Sequence, residues 1–173
     1  MKKFVFSLFF MFCVNFIFSQ EATTIFDIAR KGTIEQAKEF VNSNPSSINS
    51  VNENGFPALV LACYKGNNTV AKYFIENGAD LNIKTDMGSA LMACIVKGNN
   101  EIGKLLIDKK ADLNIIDNQG TTALMYAVQF KNIEMIKLLL AHKADKNLTD
   151  KKGKTAFEYA TFSENEEIIN LLK

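Results

Sequence analysis

The chain has 173 residues, 47% hydrophobic and 23% charged, with 20 basic against 19 acidic side chains, 9 Gly, 2 Pro, 3 Cys and one His. This balance excludes a disordered, collagen-like or disulfide-dense polypeptide and fits one globular domain, and nothing in the net charge points to nucleic acid. Half of the fourteen Phe fall within the first eighteen residues, which sets the N-terminus apart from the rest.

That N-terminus reads Met1-Lys2-Lys3, then an apolar run from Phe4 to Phe18 broken only by Ser7 and Asn15, then Ser19-Gln20-Glu21. A basic start, an apolar core and a small residue at its end form the pattern of a secretory signal peptide over residues 1–20, cut near Ser19 or Gln20. The run falls short of the roughly 20 apolar residues of a membrane span, so no span is expected in the mature form. Cys13 follows bulky Phe12, where lipid-attachment signals carry a small residue, and reads as part of the same discarded core. Cleavage removes two lysines and no acid, which turns the formal charge of +1 into −1. The expected location is the periplasm or the exterior, with residues 21–173 as a single mature domain.

From residue 49 onward two columns share one period. Asn49, Asn82, Asn114 and Asn147 are spaced 33, 32 and 33 apart, and Gly55, Gly88, Gly120 and Gly153 are spaced identically. Periods of this size mark stacked repeats. Leu59, Leu124 and Phe157 each lie four residues after their Gly, but Leu91 lies three after Gly88, so the unit beginning near residue 83 lacks one residue just before its first helix.

Taken along the chain, each unit predicts a pair of short helices. The first helices fall on Ala58–Cys63, Ala90–Cys94, Ala123–Val128 and Ala156–Ala160, where small Ala or Cys among large apolar residues suits close packing against a neighbour. The second fall on Val70–Ile75, Ile102–Ile107, Ile133–Leu140 and Ile168–Leu172, whose apolar residues recur at helical spacing. Ser89, Thr122 and Thr155 are placed to cap first helices with their hydroxyls, whereas Pro57 in the same slot offers none. Gly78 stands where a second helix closes in a left-handed residue, and Lys110 and Lys143 hold the equivalent slots, whose helix ends are expected to be strained or differently closed. Polar or acidic residues at the two ends, Glu35, Gln36, Lys38 and Glu39, then Glu164, Glu166, Glu167 and Asn170, suit terminal repeats that face water.

These residues resemble the ankyrin repeat. The resemblance rests on Gly78-Ala79-Asp80-Leu81-Asn82, Ala111-Asp112-Leu113-Asn114, Ala144-Asp145-Lys146-Asn147 and Gly120-Thr121-Thr122-Ala123-Leu124. Gly66 and Gly98 match the family's Gly between the two helices, while Lys131 and Glu164 replace it later. The usual Thr-Pro-Leu-His becomes Thr-Ala-Leu-Met or a variant, so the family's His is missing. Residues 25–49, with Ile25, Ala29, Gly32, Ala37 and Phe40, look like a degenerate first unit. The resemblance implies an all-α solenoid of about five helix-turn-helix repeats joined by β-turns, over residues 22–49, 50–82, 83–114, 115–147 and 148–173.

Chemistry is sparse in this pattern. His142 has no second His or Cys at ligand spacing and belongs to no nucleophilic triad. Asp80, Asp112 and Asp145 recur at the repeat period and read as turn residues, and no Gly-rich phosphate loop is present. No enzyme, cofactor or metal is expected. Cys63 and Cys94 lie on neighbouring first helices one position out of register, a spacing that favours two buried free thiols and leaves a disulfide as the alternative.

The ankyrin resemblance implies a partner protein, bound by a chain that is a monomer alone, on the concave face of the inner helices and on the turn tips. The residues before each inter-helix Gly are then Arg30 and Lys31, Tyr64 and Lys65, Val96 and Lys97, Gln129 and Phe130, and Phe162 and Ser163. The tips carry Glu53 and Asn54, Asp86 and Met87, Asn118 and Gln119, and Lys151 and Lys152. Lys31, Lys65 and Lys97 align in one cationic row joined by Arg30, whereas Phe130 and Phe162 make the far end apolar. An inhibitor or immunity-type factor is one expectation by family analogy; a cell-envelope ligand-binding or enzyme-accessory module is the alternative.

Overall fold

The computed structural model describes residues 23–173, and the signal peptide expected over residues 1–20 lies outside them. Ten α-helices follow one another in pairs: α1 (Ile25–Lys31) with α2 (Ile34–Ser43), α3 (Ala58–Lys65) with α4 (Asn68–Glu76), α5 (Ala90–Val96) with α6 (Asn100–Asp108), α7 (Ala123–Gln129) with α8 (Ile133–Ala141), and α9 (Ala156–Phe162) with α10 (Glu166–Leu172). The odd-numbered helices pack in sequence as an inner layer, and the even-numbered ones stack behind them as an outer layer. The expected five-unit all-α solenoid is what forms.

Helices of seven to ten residues are marginal alone in water, so the stack must hold them. The inner helices α3, α5, α7 and α9 keep small side chains four residues apart, Ala58 and Ala62, Ala90 and Cys94, Ala123 and Ala127, Ala156 and Ala160, all essentially without solvent contact. These let neighbouring inner helices approach closely, while Leu59, Leu91 and Leu124 fill the space toward the outer layer. The outer helices bury Val70 and Phe74, Ile102 and Leu106, Met135 and Leu139, and Ile168 and Leu172 in the same i, i+4 rhythm. Phe157 stands in the Leu column of the last repeat and is 37% exposed.

The caps form as the sequence predicts. Thr122 and Thr155 each accept the N–H three residues on, Ser89 does the same for Met92, and Pro57 starts α3 without a side-chain cap. Lys110 and Lys143 adopt positive φ, 67° and 65°, where Gly78 has 89°. All three ends close alike, through the N–H of Ala79 to the Phe74 carbonyl, of Ala111 to Leu106, and of Ala144 to Leu139, each at 3.0 Å. The first repeat departs from the pattern: Gly32 is extended, with φ −79°, and its role is room, since a Cβ there would lie 2.6 Å from Ile28 Cα.

The Asn column is explained by hydrogen bonds between repeats, and the Gly column by the positive φ of Gly55, Gly88, Gly120 and Gly153. Asn49 Oδ1 accepts the Asp80 N–H at 2.7 Å, Asn82 that of Asp112 at 2.8 Å, and Asn114 that of Asp145 at 2.9 Å. Each Asp in turn accepts the N–H of the Asn two residues later. The recurring Asp residues are therefore turn elements, as their period indicates. A second series, Asn67 to the Ile28 and Gly32 carbonyls, Asn99 to Asn68 and Asn132 to Asn100, ties the inter-helix bends together.

Cys63 and Cys94 are both free and fully buried. These are the buried free thiols that the spacing favours; contact with the Cys63 thiol, then burial, pushes the Cys94 thiol well above its ordinary range.

Candidate functional site

Before α3, α5, α7 and α9 the chain makes a tight turn, and the residue opening the turn decides how it is held. Asn52 Oδ1 accepts the N–H groups of Asn54 and Phe56, Asp117 Oδ1 those of Gln119 and Thr121, and Asp150 Oδ1 those of Lys152 and Lys154, all between 2.7 and 3.0 Å. In repeats four and five the second carboxylate oxygen is used as well. The phenol of Tyr126 on α7 donates to Asp117 Oδ2 at 2.7 Å, and that of Tyr159 on α9 donates to Asp150. Burial, then the Asp117 bond, pushes the Tyr126 phenol up to about 12, and the Asp150 bond, then burial, does the same for Tyr159. The same bond, aided by the Lys154 N–H, holds the Asp150 carboxyl below its usual value. These phenols stay un-ionised and work as struts between inner helix and turn.

Repeat three lacks the strut on both sides. Thr85 replaces the Asp; its hydroxyl accepts the Met87 N–H and donates to the Gly88 carbonyl. Ala93 occupies the helix position of Tyr126 and Tyr159. The missing residue tightens the turn, so that Thr85 and Gly88 exchange both backbone hydrogen bonds at 2.9 Å, where the other turns close one residue wider. Gly88 is needed there twice, for its φ of 96° and because a Cβ would strike the Met92 sulfur.

The outcome is a groove of about 480 Å³ between the turns and the inner helices of repeats two to four. Phe56, Leu61 and Tyr64 form one wall, Met92, Ala93 and Val96 the floor, and Tyr126 and Phe130 the other wall, with Lys65, Asp86, Met87, Asn118 and Gln119 at the rim. Phe130 is 53% exposed and stacks on Tyr126 at a centroid distance of 6.3 Å; Met87 is 56% exposed at its turn tip. The tips of turns three and four are joined by the Asn118 N–H to the Asp86 carbonyl at 3.0 Å, and those of four and five by Lys151 to Gln119 at 2.8 Å.

Of the residues that the sequence singles out, Tyr64, Lys65, Val96 and Phe130 line this groove, and Lys97 flanks it with its ammonium 4.6 Å from the Tyr64 ring centroid. Lys65 approaches the same ring at 6.0 Å. Arg30, Lys31, Gln129 and Phe162 lie outside the groove lining. Arg30 pairs with Asp27 of its own helix at 3.5 Å. Phe162 is 69% exposed with Lys154 4.4 Å from its ring centroid, one end of a separate aromatic patch. Among the described residues the ion pairs are Arg30 with Asp27 and Lys137 with Glu167, so Lys31, Lys65 and Lys97 have no carboxylate partner there.

Sequence reasoning passed over Phe56, Leu61, Met92, Ala93 and Tyr126. A signal was present: Ala93 stands in a column otherwise filled by Leu61, Tyr126 and Tyr159, next to the one deletion in the array. His142 Nδ1 lies 2.9 Å from the Leu138 carbonyl in the exposed end of α8, and among the described residues no three His, Cys, Asp or Glu converge as a metal set. No helix of the described residues is long and apolar enough to cross a membrane. A family model described as ankyrin repeats (3 copies) matches residues 25–117 and 91–173.

Proposed function

Since the chain belongs to the ankyrin-repeat family, we propose that it is an exported, non-enzymatic module that binds a partner protein on its concave face and turn tips. Ankyrin repeats are in general modules of protein–protein interaction. The observation that carries the reading for this chain is the groove itself. It sets exposed Phe130 and Met87 beside two lysines that lack carboxylate partners among the described residues, an apolar patch with a charged rim of the kind that marks interaction sites. Charge on Lys65 and Lys97 governs encounter rate and salt dependence, and the buried aromatic contacts carry most of the affinity.

Export rests on the N-terminal pattern of Met1 to Gln20. Within it, a stoichiometric inhibitor or immunity-type role for an exported toxin or hydrolase is the finer reading, by analogy with other exported repeat proteins. The exposed aromatic faces of Phe130 and Phe162 favour one further reading, a module that holds cell-envelope material. Native envelope fractions passed over the immobilised domain separate these: a single protein retained at stoichiometric amounts supports the first, and pelleting with purified wall or membrane material the second. Intact mass of the native protein should show a start at Gln20 or Glu21. Recovery of Met1 in a cytosolic pool would refute export.

A further inference from the structure

The groove exists because repeat three is built differently from its neighbours. In repeats four and five a tyrosine fills the space between inner helix and turn and is tied to the turn by its hydroxyl. In repeat two Leu61 occupies the same position. Repeat three has Ala93 and a shortened turn opened by Thr85, and the space that the tyrosine would occupy is open and lined mainly by apolar atoms. A volume of about 480 Å³ lies within the range of about 300–1,000 Å³ usual for specific pockets. Removing one large side chain from an otherwise regular array makes a socket at one defined place, with the array on either side as its walls.

We propose that this socket takes one aromatic or long aliphatic anchor from an extended acidic segment of the partner protein, with a carboxylate of that segment meeting Lys65 and Lys97. The inference rests on the partner-binding reading above and narrows it to one position. The apolar floor of Met92, Ala93 and Val96 selects the anchor. Charge selects what flanks it: two ammonium groups share the Tyr64 face at one rim, unpaired among the described residues. Such groups attract a carboxylate and reject a basic segment. At the opposite rim the amide side chains of Asn118 and Gln119 are exposed and suit pairing with the amides of an extended chain.

The test uses the purified protein and a displayed library of peptides of random sequence, with anilinonaphthalene sulfonate, an aromatic anion, as a second probe. Enriched peptides should carry one Phe, Tyr, Trp, Leu or Met close to Asp or Glu. Ala93→Tyr, which restores the side chain of repeat four, should lower their affinity by at least about tenfold, the loss of a modest hot spot. Ala93→Leu, which copies repeat two, should act in the same direction and guards against a misfolded tyrosine variant; circular dichroism and the thermal midpoint verify both. Lys65→Glu with Lys97→Glu should weaken binding most at low salt. Peptides that bind the Ala93→Tyr and Ala93→Leu variants undiminished overturn the proposal, as does enrichment without acidic residues. Binding of the sulfonate with no peptide enriched also overturns it, and marks a small-molecule site instead. A native partner that binds Ala93→Tyr at full strength but is lost on changing Phe162 or Lys151 leaves the partner-binding reading standing and removes only the socket.

Discussion

Four non-glycine residues hold a left-handed backbone: Lys110 at φ 67°, Lys131 at 54°, Lys143 at 65° and Glu164 at 54°. All are exposed, and none takes part in an ion pair among the described residues, so their side chains contribute little that a substitution would remove. The left-handed conformation costs an L-residue about 1–2 kcal/mol. Glycine relieves this but raises the entropy of the unfolded chain by about 0.4–1 kcal/mol. Each of Lys110→Gly, Lys131→Gly and Lys143→Gly should therefore stabilise by about 0.5–1 kcal/mol, and the three together by about 2 kcal/mol, because they lie at separate bends. For a domain of this size that corresponds to a rise of roughly 4–8 °C in the thermal midpoint. Urea denaturation should show a higher midpoint at unchanged slope. Gly66→Ala and Gly98→Ala make the reverse experiment, since a Cβ at either meets nothing within 4 Å and only the φ values of 72° and 67° oppose it. Each should destabilise by about 1 kcal/mol. If the lysine replacements destabilise while the glycine replacements are neutral, the strain argued for these bends is absent.

The Tyr126 and Tyr159 phenols, raised to about 12 in the folded chain, contribute stability that is complete below about pH 10 and disappears as pH rises through 12, because the unfolded chain releases those protons first. Thermal midpoints should fall more steeply between pH 10 and 12 in the native protein than in Tyr159→Phe, and equal slopes would contradict the strut. At the acid end Asp27, held low first by the Thr24 hydroxyl, and Asp150, held low first by Tyr159, contribute stability that is present above their ordinary range and lost as pH falls through their lowered values. Cys63 and Cys94 should resist alkylation in the folded protein and react together on unfolding; a mass two daltons low would show them joined instead.

Most of the architecture was legible because it is written as repetition. The Asn column at 49, 82 and 114 corresponds to three inter-repeat hydrogen bonds of one kind, and the caps at Ser89, Thr122 and Thr155 follow from hydroxyls at one offset from the helix starts. The site was less legible for the same reason. Periodic reasoning selects what recurs, such as the lysines beside each inter-helix glycine, whereas the groove arises where the pattern fails, at Ala93 and the shortened turn at Thr85 to Gly88.

The central claim, that the face of repeats two to four between inner helices and turns receives the partner, is most directly tested by hydrogen exchange of the native complex. The account predicts slowed exchange in the turn tips at residues 86–87 and 118–119 and at the ends of α3, α5 and α7, with α4, α6 and α8 unchanged. Protection confined to those outer helices, with the tips and inner ends exchanging as in the free protein, would contradict it.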